Sequence, residues 1–162
     1  MKPKLLIRIA AGFLAFFILG HSMGHFTRYD VTDAKEKQVL QVMRENKFNL
    51  FGHTTTYDGM YTGMSMDLIF TLITFTAILL MIAEINVSHY KLSFKLLLPV
   101  TLCIFGFAVT GYLYFFPIPA ITCLIAGIVL TIALINLRST ANAESNSKEA
   151  SLHNTKNTLH EV

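Results

Sequence analysis

Charge is scarce in this chain. Only 14% of its 162 residues are Asp, Glu, Lys or Arg, against 53% hydrophobic ones, and the mean hydropathy is +0.53. So few charges could hardly cover a water-facing surface, which excludes an ordinary soluble domain. Cysteine is nearly missing as well. Cys103 and Cys123 stand alone with no C-x-x-C, which excludes a disulfide framework and a dithiol pair and leaves two small packing residues. No A-x-A-like cleavage site follows the first apolar run, so that run, behind Lys2 and Lys4, reads as an anchoring span and not as a cleaved signal.

Long apolar runs are what the chain has in abundance. Four stretches approach the roughly 20 residues that a membrane-spanning helix needs: about 5–25, 61–84, 94–115 and 118–137. Arg8 interrupts the first one turn from its start, where it can reach the headgroups. Pro99 lies inside the third, where neighbouring helices tolerate a kink. Pro117 and Pro119 mark the tight turn between the last two, with Pro119 suited to a first helical turn. The fold class expected is all-α: a four-transmembrane-helix bundle with a short extracytoplasmic helix between helices one and two.

Orientation follows from where Lys and Arg fall. With the N-terminus inside, Lys2, Lys4, Arg8, Lys91, Lys95, Arg138, Lys148 and Lys156 are cytoplasmic, and Arg28, Lys35, Lys37, Arg44 and Lys47 are outside among as many acids. Both termini are therefore expected in the cytoplasm of a plasma (inner) membrane. The net charge of +3 reflects this topology and is no nucleic-acid footprint; the partners expected are the lipid bilayer and a second copy or another membrane protein.

The one sizeable loop, residues 26–60, opens with a helix signal. Thr32 or Asp33 serves as N-cap, Glu36 stands three residues after Asp33, and KQVLQVMREN carries a narrow apolar stripe of Val39, Leu40 and Met43. Such a helix suits the membrane interface or the mouth of the bundle. Residues 46–64 follow as a turn-rich return to the membrane, with glycines at 52, 59 and 63 and three consecutive threonines. Residues 1–138 make the membrane domain. Residues 139–162 read as a disordered, polar cytoplasmic tail.

One constellation carries chemistry. His21 and His25 are four residues apart, hence about 40° apart around a helix and about 6 Å along it, on one face. Gly20 and Gly24 form a small-xxx-small stripe beside them, which lets another helix approach. In the second span Gly63, Asp67, Thr71 and Thr74 share a face, and lipid penalises an ionised Asp67, so that face is expected to turn inward and meet His21. His53, Tyr57 and Asp58 lie above as a further polar group.

Two histidines from one helix, with Asp67, His53 or Asp58 as a third donor, admit zinc or iron, and the nearby Met60, Met64 and Met66 add copper. Ser22, Met23 and Gly24 separate the histidines, so the glutamate base of an HExxH hydrolase is absent. A b-type haem needs a second axial ligand, which His53 alone is placed to supply, and is the weaker fit. Asp67 and His21 could also titrate together in proton-coupled transport, though no charge continues that path before Glu84. The simplest reading is that these groups satisfy each other and hold helix register.

GHSMGHF, the mixed-charge loop and TYDGMYTGMSMDLIF together resemble a group of small bacterial four-helix inner-membrane proteins. In that group a GHxxGH-like end of helix one precedes an aromatic, glycine-containing entry to helix two. The resemblance spans residues 5 to about 85, with His21, His25, Tyr57, Asp58, Tyr61 and Gly63 at the matching places. It implies the fold and the membrane location and no established activity. The function expected is therefore structural or accessory, ahead of metal or redox-cofactor binding and of proton-coupled transport, and an enzyme is not expected.

Overall fold

The computed structural model describes residues 2–85 and 89–160, with backbone course alone for 140, 141 and 144–160. Among the described residues the chain forms helices α1 (Pro3–Thr27), α2 (Ala34–Glu45), α3 (Tyr57–Ile85), α4 (Tyr90–Tyr114) and α5 (Pro117–His160), with strands β1 (Lys47–Leu50) and β2 (His53–Thr56) between α2 and α3. The helices α1, α3 and α4 and the stretch Pro117–Ser139 of α5 are each long and apolar enough to cross a membrane. These coincide with the four apolar runs. Each helix begins one to four residues before its run, and α4 ends at Tyr114, one residue short of it; Pro3 and Pro117 stand at the first helical position, where the missing N–H costs nothing.

Two compact units divide the chain. The first contains α1 up to Phe13 and everything from Thr76 onward. Within it α4 and α5 pack closely through small residues. A Cβ placed on Gly111 would stand 3.2 Å from the Ala120 backbone nitrogen, and the Phe105 ring lies directly over Gly127. Cys123, Ala126, Leu130 and Ala133 on α5, with Leu97 and Ile104 on α4, are fully buried. Gly106 and Thr110, which share the same spacing in sequence, are exposed, and Thr110 bonds its own helix at the Gly106 carbonyl. At the other end of this unit Glu84 accepts from Lys4 at 2.7 Å and Arg8 at 2.6 Å.

Beyond Arg138, where the composition predicts a disordered tail, helix α5 is described as far as His160. No glycine or proline follows Gly127, so the local sequence contains no strong helix breaker.

The second unit runs from Leu14 to Phe75. Asp33 caps α2 as its position suggests, its carboxylate accepting from the N–H groups of Lys35 and Glu36 at 2.8 and 3.1 Å. No residue of α2 is buried. The stretch read as turn-rich is instead an antiparallel hairpin, with Lys47 opposite Thr56 and Leu50 opposite His53. β-branched Thr54, Thr55 and Thr56 suit a pleated strand better than a loop. Its two-residue turn, Phe51 and Gly52, has φ of 50° and 84°, which is the mirror-image turn that matches strand twist. The hairpin leads directly into α3, where Thr56 Oγ1 accepts from the Gly59 N–H at 3.0 Å and so caps the helix.

Candidate functional site

Within the second unit, α1 and α3 each present a polar triplet at i, i+4 and i+7. On the first it is His21 and His25, with Arg28 in the turn just past the helix end; on α3 it is Asp58, Thr62 and Ser65. Seven residues advance a helix by nearly two whole turns, so each triplet forms one stripe. Further along the same stripes the residues become apolar and buried: Leu14 and Phe17 on α1, Ile69 and Leu72 on α3. The site is thus the polar end of an otherwise aliphatic seam.

Ser65 joins the histidines. Its Oγ lies 2.8 Å from His25 Nδ1 and 3.0 Å from His21 Nε2. A hydroxyl donates one hydrogen and accepts on its lone pairs. Ser65 can therefore serve each ring in either role, according to the tautomer that the ring adopts. Ser65 and His25 are buried and His21 is half-buried. Ring edges close the surroundings, Phe17 standing T-shaped to His21 and Phe26 to His25.

Next to this triad Arg28 is nearly enclosed. Its Nη2 donates to Asp58 Oδ1 at 2.9 Å, to Thr62 Oγ1 at 2.6 Å and to the Tyr29 hydroxyl. The Tyr29 hydroxyl in turn donates to Asp58 Oδ2 at 2.8 Å. The Arg28 guanidinium stands 4.5 Å from the Tyr29 ring and 4.9 Å from Tyr61, and Arg44 covers Tyr29 at 3.9 Å. Cations over aromatic faces are attracted by the ring quadrupole. Those rings serve Arg28 where hydrogen bonds do not, since its Nε and Nη1 are buried with no hydrogen-bond partner. Arg28 and Asp58 side chains are 11% and 14% exposed, so the pair is largely enclosed; losing Asp58 strands Arg28, whereas Asp58 also has Arg44 Nε at 3.8 Å.

The expected site residues separate. His21 and His25 come together, through a serine that hydropathy reading passes over. Asp58 joins Arg28. Tyr57 is exposed and stacks its ring on Phe48. His53 is exposed at the start of β2, beside the hairpin turn.

Asp67 does not meet His21: it lies on an exposed face of α3, with Gly63 and Thr74 exposed alongside. Two residues from Ser65 on a helix is about 200°, the opposite side. The physical reason is phase. Ser65, Ile69 and Leu72 are the buried residues of this stretch and set which side of α3 turns inward, and Asp67 is out of step with all three.

The glycine stripe is likewise unpacked, for a Cβ on Gly20 or Gly24 would meet nothing within 4 Å. Both glycines are exposed, off the buried side that carries Leu14 and Phe17. Among the described residues no group of three or more His, Cys, Asp or Glu is placed to hold a metal ion. Cys103 and Cys123 are free thiols.

Ser65, Thr62, Arg28, Tyr29 and Arg44 are the residues that sequence reasoning missed. A signal was present, because Asp58, Thr62, Ser65, Ile69 and Leu72 continue one seven-residue stripe from polar to apolar. No protein-family model, no curated protein and no solved structure matches the chain.

Proposed function

We propose that the chain is a small integral protein of the plasma (inner) membrane, spanning it four times with both termini cytoplasmic, and that its role is structural or accessory. One observation supports this best. Polar groups at the ends of α1 and α3 meet one another, His21 and His25 at Ser65 and the Arg28 Nη2 at Asp58 and Thr62. Such a network closes two spans at their outer end and sets their register. The orientation rests on Lys4, Arg8, Lys91, Lys95 and Arg138, all near the ends assigned to the cytoplasm.

A second reading, a metal or redox site, draws on the convergence of His21 Nε2 and His25 Nδ1 on one point, as two ligands of zinc, iron or copper would converge. Such a site would recruit donors beyond Ser65. Proton-coupled transport through Asp67 has no comparable observation behind it.

The test is elemental analysis and thermal unfolding of the detergent-purified full chain, wild type against His21→Ala plus His25→Ala. The structural reading expects no stoichiometric metal in either protein and a lower melting temperature in the variant. A metal present in the wild type and lost with the histidines transfers the site to the second reading. Reporter fusions at both termini check the orientation.

A further inference from the structure

Among the described residues Phe51 is the most exposed large apolar side chain. It stands at 106% relative accessibility on the hairpin tip, beside Leu50 at 40%. Its backbone is also in the left-handed region, at φ 50°, where a bulky L-residue is a genuine outlier. Asparagine or aspartate before Gly52 would suit that turn without strain. Neither burial nor turn geometry accounts for a phenylalanine here, so folding alone gives no reason for it.

The neighbourhood points the same way. Helix α2 buries no residue, yet Val39 and Val42 are exposed on it. The segment between α1 and α3 therefore has apolar side chains with no core of its own to receive them. It is tethered at both ends to helices that read as membrane spans. Its strands are four residues long, about 13 Å, so the tip cannot stray far from the bilayer surface. From Asn46 to Tyr57 there is no acid, while Lys47 is basic. Tyr57 and Tyr61 at the start of α3 are exposed, as expected of aromatic residues at headgroup level. An apolar tip with a cationic flank matches a lipid surface carrying negative charge.

We propose that the hairpin Lys47–Thr56 is a membrane-surface anchor whose tip residues, Leu50 and Phe51, insert among the lipids of the outer leaflet beside α3. This rests on the membrane-spanning reading above. Inserting the ring gives the strained phenylalanine an apolar phase, and Lys47 pairs with lipid phosphate. The tip then fixes the tilt of the polar end of the α1–α3 seam relative to the bilayer.

The chain contains no tryptophan, so Phe51→Trp introduces a single reporter. The full-length variant is reconstituted into vesicles of phosphatidylcholine with phosphatidylglycerol, with and without brominated acyl chains, and titrated with aqueous iodide. The proposal expects blue-shifted emission, loss of roughly half the intensity to brominated lipid, and weak quenching by iodide. Emission as in water with strong iodide quenching overturns it. Blue-shifted emission untouched by brominated lipid also overturns it, and assigns the tip to a protein surface. Leu50→Trp repeats the measurement should Phe51→Trp fold poorly, as circular dichroism would report. Alkaline carbonate extraction of the same vesicles separates the two readings. Loss of the protein from the vesicles sinks the spanning reading, whereas retention with an unquenched tip sinks this inference alone.

Discussion

Ser65→Ala removes one oxygen that two imidazoles share. Ser65 is 6% exposed and His25 9%, so His25 Nδ1 loses its partner where water has little access. An unsatisfied buried polar group costs about 1–3 kcal/mol. His21 is half-buried and can turn toward solvent, so its lost bond adds roughly 0.5 kcal/mol. Interhelical hydrogen bonds in membranes average only about 0.6 kcal/mol, because separated helices find other partners. That favours the lower part of the range, and the expected destabilisation is about 1.5 kcal/mol.

The assay is reversible unfolding of the full chain in mixed micelles by titration with a denaturing detergent, followed by circular dichroism. Asp67→Asn is the contrast. On an exposed face without a hydrogen bond to either histidine, it should change stability by less than about 0.5 kcal/mol. A double-mutant cycle of Ser65→Ala with His25→Ala should show coupling of at least about 0.5 kcal/mol. Strict additivity, or a neutral Ser65→Ala beside a costly Asp67→Asn, would refute the assignment of the α3 face.

Asp58→Ala strands the Arg28 guanidinium between two tyrosines and should cost about 3 kcal/mol; adding Arg28→Ala should recover part of the loss in the same unfolding titration. Gly111→Ala sets a methyl against the Ala120 backbone and should destabilise by about 1–2 kcal/mol. Gly106→Ala enters open space and should be neutral or stabilising by up to about 1 kcal/mol; equal effects at the two glycines would remove the close α4–α5 approach. Phe51→Asn suits the left-handed turn and should raise the stability of the hairpin by about 1 kcal/mol, read as slower amide exchange at Lys47–Thr56.

The four long apolar helices were legible because hydrophobic length is a bulk property that local detail cannot disguise. The shared face of His21 and His25 was legible because α-helical periodicity is rigid. The partner on α3 was not, and the error at Asp67 has a definite cause. Ranking side chains by the cost of burying them draws attention to a carboxylate, yet which side of a helix turns inward is set by the phase of its buried apolar residues, and Asp67 is out of phase with Ile69 and Leu72. Ser65 is cheap to bury and scarcely dents the hydropathy, so it is invisible to that ranking, but one hydroxyl suffices to bridge two imidazoles.

Phase would have found it. Ile69 and Leu72 set the buried side of α3, and stepping back by four and three residues reaches Ser65, Thr62 and Asp58. The glycines mislead in a similar way. Gly20 and Gly24 permit a close neighbour, but they lie on an exposed side of α1 with nothing near them, whereas at Gly111 the opposing residue is Ala120 and the backbones do meet. Whether a small residue marks a contact is decided by what faces it, and that becomes readable only once the pairing of the helices is known.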